Sequence, residues 1–266
     1  MSSPGLVQAT RHQFTVLRTG LMFLTRLPVG TFPTFRTEWL AQSLIYFPLI
    51  GALVGSASAA VAWLLFGHVS AWLTVLAALL TSVLVTGGFH EDALADAADG
   101  LVGGQTPAQR MEIMKDSRVG TYGVLALWFS LSAKLICLHE LALHDFPRLL
   151  ALFIAAHALA RVSSVVLLYA LPYVQHEGAK SSAIAQAPLG VLLFNLLAGA
   201  ILAVALLGAV LGLACVGGLA VLTFAAGFYF RSKIGGISGD CLGAAIQLVE
   251  LGCYLTVLVL TVPVTP

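Results

Sequence analysis

From Leu189 to Phe230 the chain carries no charged side chain. A bilayer crossing takes roughly 20 apolar residues, so this run is too long for one, and Gly208, Gly212, Gly217 and Gly218 are places to divide it. Comparable runs cover 41–66, 71–89, 122–142, 149–171 and 241–262. With the long run split into 189–210 and 213–230, about seven transmembrane helices are expected, within a range of six to eight. The fold class that follows is an all-α, polytopic integral membrane protein. Composition agrees, since only 9% of the residues are charged and 59% are hydrophobic, whereas soluble domains carry roughly a quarter charged residues. The 266 residues suit one membrane-embedded domain, 1–266.

Lys and Arg are unevenly placed. The leader holds Arg11, Arg18, Arg26 and Arg36, and the 90–121 loop holds Arg110, Lys115 and Arg118. Lys180 falls in the 172–188 loop, and Arg231 and Lys233 in the 231–240 loop, while the opposite loops keep only Arg148. With seven spans all the basic loops share one face, which the positive-inside rule makes cytoplasmic. Residues 14–27 pattern as an interfacial amphipathic helix that Pro28 would stop, with Phe14, Leu17, Leu21 and Leu24 on one face. A net charge of +1 without basic clusters argues against a nucleic-acid partner. Cys137, Cys215, Cys241 and Cys253 form no CxxC pair and are expected as buried, reduced thiols. "GALVG" (Gly51–Gly55) and "GAVLG" (Gly208–Gly212) match the GxxxG pattern of closely packed membrane helices.

The segment "GGFHEDALADAADG", Gly87–Gly100, gathers Glu91, Asp92, Asp96 and Asp99 at the end of an apolar run. On a helix Asp92, Asp96 and Asp99 follow i, i+4, i+7 and share one stripe. Like charges so placed repel. Hard oxygen ligands on such a stripe suit Mg²⁺ or Mn²⁺, completed by water and substrate phosphates. His90 points away from the stripe on a continuous helix, although Gly87 and Gly88 can break the helix and let it turn back. A polar interfacial histidine and a catalytic base are both open readings of His90.

Thr106 followed by Pro107 predicts a capped short helix to about Asp116. It leads into "KDSRVGTYG", where Lys115, Asp116, Ser117 and Arg118 combine cations, a hydroxyl and glycine backbone of the kind a phosphate needs. In "RSKIGGISGDCLGA", Gly235, Gly236, Ser238 and Gly239 lead to Asp240 at the start of the last span; Asp240 is either an N-cap or part of a phosphate or metal site. Lys134, Arg161 and Glu250 lie inside spans, where charges pair or line a cavity. An Arg161–Glu250 ion pair joined by His157 is one expectation. A polar cleft receiving an anionic substrate is the other.

These segments resemble the cobalamin synthase family, the adenosylcobinamide-GDP ribazoletransferases. "FLTRLPVG" (Phe23–Gly30), "GGFHEDALADAADG", "IMKDSRVGTYG" (Ile113–Gly123) and "GGISGDCLGAAIQLVE" (Gly235–Glu250) are similar to its four motifs, in order. The family pattern has glycine where Ala93 stands and threonine where Ser238 stands. The resemblance implies a Mg²⁺-dependent, multi-pass enzyme of the cytoplasmic (inner) membrane. Its reaction joins adenosylcobinamide-GDP to α-ribazole, or to α-ribazole 5′-phosphate, and releases GMP. Carried onto this chain, Asp92, Asp96, Asp99 and Glu91 would hold Mg²⁺ and Lys115 and Arg118 would neutralise the leaving GMP. Asp116, Ser117, Gly235, Gly236, Ser238, Gly239, Asp240, Arg161 and Glu250 would contact substrate, with His90 or a free carboxylate as base. Expected partners are these small molecules and the lipid bilayer, with a homo-oligomer or an association with other cobalamin-assembly enzymes as further options.

Two rivals deserve comparison. A CDP-alcohol phosphotransferase also sets Asp residues around metal, but its DGxxAR motif needs an arginine that does not follow Asp92. A cation or solute transporter would use Lys134, Arg161 and Glu250 as its pathway near the midplane. The densest polar motifs here lie at one face instead, with no internal repeat.

Overall fold

A computed structural model describes residues 4–30, 36–174 and 187–263. Lys180 of the basic loops lies outside the described residues. The chain order is α1 (Pro4–Leu24), α2 (Thr37–Ser43), α3 (Phe47–Leu65), α4 (Ala71–Thr86), α5 (Phe89–Gly103), α6 (Pro107–Ile113), α7 (Thr121–His144), α8 (Phe146–Ala170), α9 (Leu189–Leu207), α10 (Ala209–Ile234) and α11 (Gly239–Thr261). Six stretches are long and apolar enough to cross a bilayer: Thr37–Leu65, α7, α8, α9, α10 and α11. The 16-residue α4 qualifies together with α5, and the two are bent by 85° at Gly87–Gly88. The protein is an all-α, multi-pass membrane protein.

Local chemistry sets the boundaries. A 3-10 turn, Leu44–Tyr46, interrupts the first crossing just before Pro48 in the first turn of α3, where the missing N–H costs least. Asp145 caps α8, its side chain accepting from the Arg148 N–H at 3.0 Å. Of the four glycines able to divide the long run, Gly208 does so, at φ +82°. Gly87 and Gly88 both adopt φ +70°, closing α4 and starting α5 in a new direction, a conformation that a β-carbon disfavours.

α8 is the central staff, enclosed along most of its length. α3 lies against it because Gly51 and Gly55 leave no side chain between the helices: a β-carbon at either would collide with the carbonyl oxygens of His157 or Phe153. Outward-facing Trp63, Trp128, Phe129, Phe224 and Phe228 are exposed, as expected where hydrocarbon is the solvent. All four cysteines are free and buried.

α1 begins earlier and ends earlier than the 14–27 pattern predicts. Its buried side is Val16, Thr19 and Leu24, whereas Phe14 is 62% exposed. Leu17 and Leu21 of the expected face are half-buried against the same core as Leu24, and Gly20 sits against Ile50 and Ser43. After α1 the chain docks on α4, the Arg26 N–H donating to Val85 O at 2.7 Å.

The basic loops meet at one end. Arg110 Nη1 donates to Lys233 O at 2.7 Å. Residues 172–174 pair with Ile237 through Val174 N to Ile237 O at 2.8 Å and Ile237 N to Pro172 O at 3.0 Å. The opposite end carries the stacked pairs Phe66–Phe146 and Trp72–His139 and the Arg148–Asp145 ion pair.

Candidate active site

α5 turns one side inward and the other outward. His90, Ala93 and Ala97 are buried, while Asp92 is exposed and Asp96 half-buried. The inner side packs on α11 at Gly243, where a β-carbon would collide with that of Ala93. The close approach brings Asp240, in the first turn of α11, toward Asp92 and Asp96. Burial first, then the charges of Asp92, Asp240 and Asp99, push the Asp96 carboxyl up to about 6. No described cation is ion-paired with Asp92, Asp96 or Asp240.

Beside these carboxylates opens a cavity of about 340 Å³. Its walls are largely apolar, with Phe23, Phe47, Leu168 and Ile246, and its polar lining includes Asp92, Asp240 and Tyr173. Sequence spacing pointed to a stripe of Asp92, Asp96 and Asp99; the structure instead groups Asp92 and Asp96 with Asp240. Asp99 is 7% exposed and engaged elsewhere, Oδ2 accepting from Gly120 N at 2.7 Å and Oδ1 from Gly123 N at 2.8 Å. It holds the N-terminus of α7, where a negative charge is favoured. A β-carbon at Gly120 or Gly123 would run into its carboxylate. The glycine backbone of "VGTYG", expected to meet a phosphate, therefore meets Asp99.

Glu91 is similarly engaged, Oε1 accepting from Gln247 Nε2 at 2.9 Å. Among the described residues no three His, Cys, Asp or Glu side chains already converge as a metal cage. In donor chemistry, three outward carboxylates without a cation fit a hard divalent ion completed by water and substrate oxygens.

His90 forms part of the cavity wall but is 2% exposed, and both ring nitrogens are enclosed without a hydrogen-bond partner. Arg161 and Glu250 are 1% and 2% exposed. They belong to a buried cluster rather than to a cleft: Glu250 takes Lys134 Nζ at 2.7 Å, His157 Nδ1 at 2.8 Å and Arg161 Nη1 at 3.4 Å. The ion pair expected from sequence is present, and Lys134 is its closer partner.

The "KDSR" segment follows α6, whose Thr106–Gln109 capping box matches the expected start; the helix ends at Ile113, before Asp116. Arg118 donates from Nε and Nη2 to Asp116, whose carboxyl these hydrogen bonds push down to about 2. Lys115, Ser117 and Arg118 are exposed. Arg118 and Asp116 line a shallow depression with Tyr122 and the Asp99 tie, and it shares no lining residue with the cavity. In the glycine-rich segment Ser238, and not Asp240, is the N-cap, accepting from Cys241 N at 3.2 Å. Gly235 and Gly236 form the turn against Pro172, and Gly239 and Asp240 reach the cavity.

Gln247 escaped the sequence reasoning. Its signal was a lone amide in apolar α11, three residues before Glu250.

No solved structure matches the chain. An adenosylcobinamide-GDP ribazoletransferase from Shewanella woodyi is 41% identical over 249 residues, covering 93% of this chain and 97% of the relative. Those from Shewanella pealeana and Shewanella halifaxensis are each 42% identical over 257 residues, covering 96% of this chain and 99% of the relative. The cobalamin-5-phosphate synthase family matches residues 16–259, nearly the whole chain and all the motifs above. The chain belongs to the cobalamin-5-phosphate synthase family.

Proposed function

We propose that the protein transfers the adenosylcobinamide-phosphate group of adenosylcobinamide-GDP to α-ribazole or α-ribazole 5′-phosphate. The products are GMP and adenosylcobalamin or its 5′-phosphate. Full-length relatives carry the ribazoletransferase name. The structural observation that carries the reading is the meeting of carboxylates from two separate motifs, Asp92 and Asp96 with Asp240, beside a cavity at the basic end.

Asp92, Asp96 and Asp240 would hold Mg²⁺. When bound, the ion supplies Lewis-acid polarisation of the diphosphate. A ribose hydroxyl oxygen of the acceptor, and not its 5′-oxygen, forms a bond to the cobinamide-side phosphorus and gives up its proton, and the bond from that phosphorus to the bridging oxygen breaks, so that oxygen leaves with GMP. Lys115 would supply positive charge for the departing phosphate, and Arg118 would do so on exchanging its Asp116 partner for that phosphate. Both are on an exposed loop at the same end, and positioning supplies much of the acceleration in such transfers.

Either acceptor must lose a hydroxyl proton, because the phosphorylated acceptor keeps its 5′-phosphate in the product. A base must come within hydrogen-bond reach of that proton. The enclosed nitrogens of His90 do not, so an outward carboxylate takes this role and His90 is a wall residue. His90→Ala should then keep the wild-type pH profile of kcat with either acceptor, and loss of one limb of that profile would restore the base role.

The basic loops gathered at that end support an active site on the cytoplasmic face, and the family resemblance supports the inner membrane. The deciding assay uses the protein in liposomes with adenosylcobinamide-GDP and α-ribazole, with and without Mg²⁺. GMP and a cobalamin product are expected only with Mg²⁺. Turnover of a CDP-alcohol donor, or solute uptake without donor turnover, would replace the proposal.

A further inference from the structure

Lys134, Arg161 and Glu250 are each at most 2% exposed. Two fixed cations thus face one carboxylate deep in the bundle, and an uncompensated buried charge is strongly destabilising. The missing negative charge comes from the acidic motif. Gln247, 2% exposed, accepts from Lys134 Nζ on its Oε1 at 2.6 Å and donates from Nε2 to Glu91 Oε1 at 2.9 Å. The charge of Glu91 also reaches Arg161. The Gln247 amide accepts from an ammonium with its oxygen and donates to a carboxylate with its nitrogen, which neither a second carboxylate nor a second ammonium could do.

The start of α5 needs such a hold. Its N-cap is Gly88, with no side chain to cap it, and it follows two residues at φ +70°. The apolar hold on the first turn is Phe89, edge-on to Phe23 at 5.4 Å; its polar hold is Glu91. The far end is fixed by the Asp99 tie to Gly120 and Gly123.

We propose that Glu91 and Gln247 are positioning residues: their hydrogen bond seats the first turn of α5, and Glu91 is not a metal ligand. Glu91 Oε2 is enclosed, and Oε1 is taken by Gln247. The link of this seat to turnover rests on the proposed transferase reading; the seat itself does not.

The test is a reciprocal exchange. Gln247→Glu sets carboxylate against carboxylate, and Glu91→Gln removes the balancing charge. The double variant Glu91→Gln/Gln247→Glu restores a donor–acceptor pair and the same total charge. Two properties are read in the full-length protein in lipid nanodiscs: amide hydrogen exchange across α5, and kcat, KM and half-activating Mg²⁺ concentration. Each single variant should speed exchange in the first turn of α5 and lower kcat about tenfold or more, the scale of a slightly misplaced reacting group. Half-activating Mg²⁺ should stay constant. The double variant should recover slow exchange and most of kcat. If the singles do not fold, recovery of folded protein in the double supports the proposal and its absence overturns it. A double variant no better than the worse single, or a Glu91→Gln variant with a shifted Mg²⁺ midpoint, overturns it as well. Restored slow exchange in a protein that never turned over the donor would leave the seat standing and remove the transferase assignment alone.

Discussion

Asp96 and Asp99 are less than one helical turn apart, yet their oxygens meet different surroundings. Asp96 faces other carboxylates, whereas Asp99 faces two backbone N–H groups. Asn at 96 keeps shape and removes the charge, so Asp96→Asn should nearly abolish turnover, weaken Mg²⁺ dependence and leave the thermal midpoint close to wild type. Asn at 99 turns an NH₂ toward a glycine N–H. Asp99→Asn should therefore cost roughly 1–3 kcal/mol, the cost of an unsatisfied buried donor, with an unchanged Mg²⁺ midpoint. A thermal melt and a Mg²⁺ titration of both variants decide the matter, and a selective Mg²⁺ defect in Asp99→Asn would return it to the metal site. Helical spacing put Asp99 on the stripe because a period says which residues share a face. It does not say what a distant loop brings to that face: the glycine N–H groups arrive from 21 and 24 residues away.

At the level of elements, the bend between α4 and α5 decides where the carboxylates point. Gly88 has open space around an added β-carbon, while one at Gly87 would meet the Arg26 side chain. Gly88→Ala should then cost only the conformational term, roughly 1–2 kcal/mol, and Gly87→Ala more. Comparing their thermal midpoints separates backbone strain from collision, and equal losses would mean that Arg26 moves aside freely. The sequence announced this break, the division at or near Gly208, and the GxxxG contact of Gly51 and Gly55, because each is a local statement about backbone or side-chain size. Asp240 was legible as a phosphate or metal contact, but its place beside α5 was not. That place depends on α11 crossing α5 at Gly243 and Ala93, a contact between residues about 150 positions apart that no local pattern encodes.

For the molecule as a whole, the buried Glu250 cluster joins α7, α8 and α11. Glu250→Ala would leave Lys134 and Arg161 without their shared partner, and a loss of roughly 3–5 kcal/mol is expected from breaking such a pair. Unfolding by a graded denaturing detergent measures it. Orientation is checked by single cysteines at Gln105, on the basic end, and His68, on the other. All native cysteines are buried, so a membrane-impermeant maleimide should label position 105 only in inside-out vesicles and position 68 only in right-side-out ones. The span pattern and the clustering of basic loops were legible because hydrocarbon imposes them on sequence directly; the Lys134 and Gln247 contacts were not, being set by how three helices rotate against one another.

α4 has 16 residues. At 1.5 Å per residue it is about 24 Å long, shorter than a hydrocarbon layer of about 30 Å. The bilayer must thin around it, or the bend and the first acidic turn must lie below the level of the head groups. Either way the protein sits in a dimple, and a water-soluble nucleotide donor has to descend into it. Acyl-chain length thereby becomes a control on the enzyme: reconstitution across phosphatidylcholines of increasing thickness should lower donor turnover while the fold, read by its helical signal, stays constant.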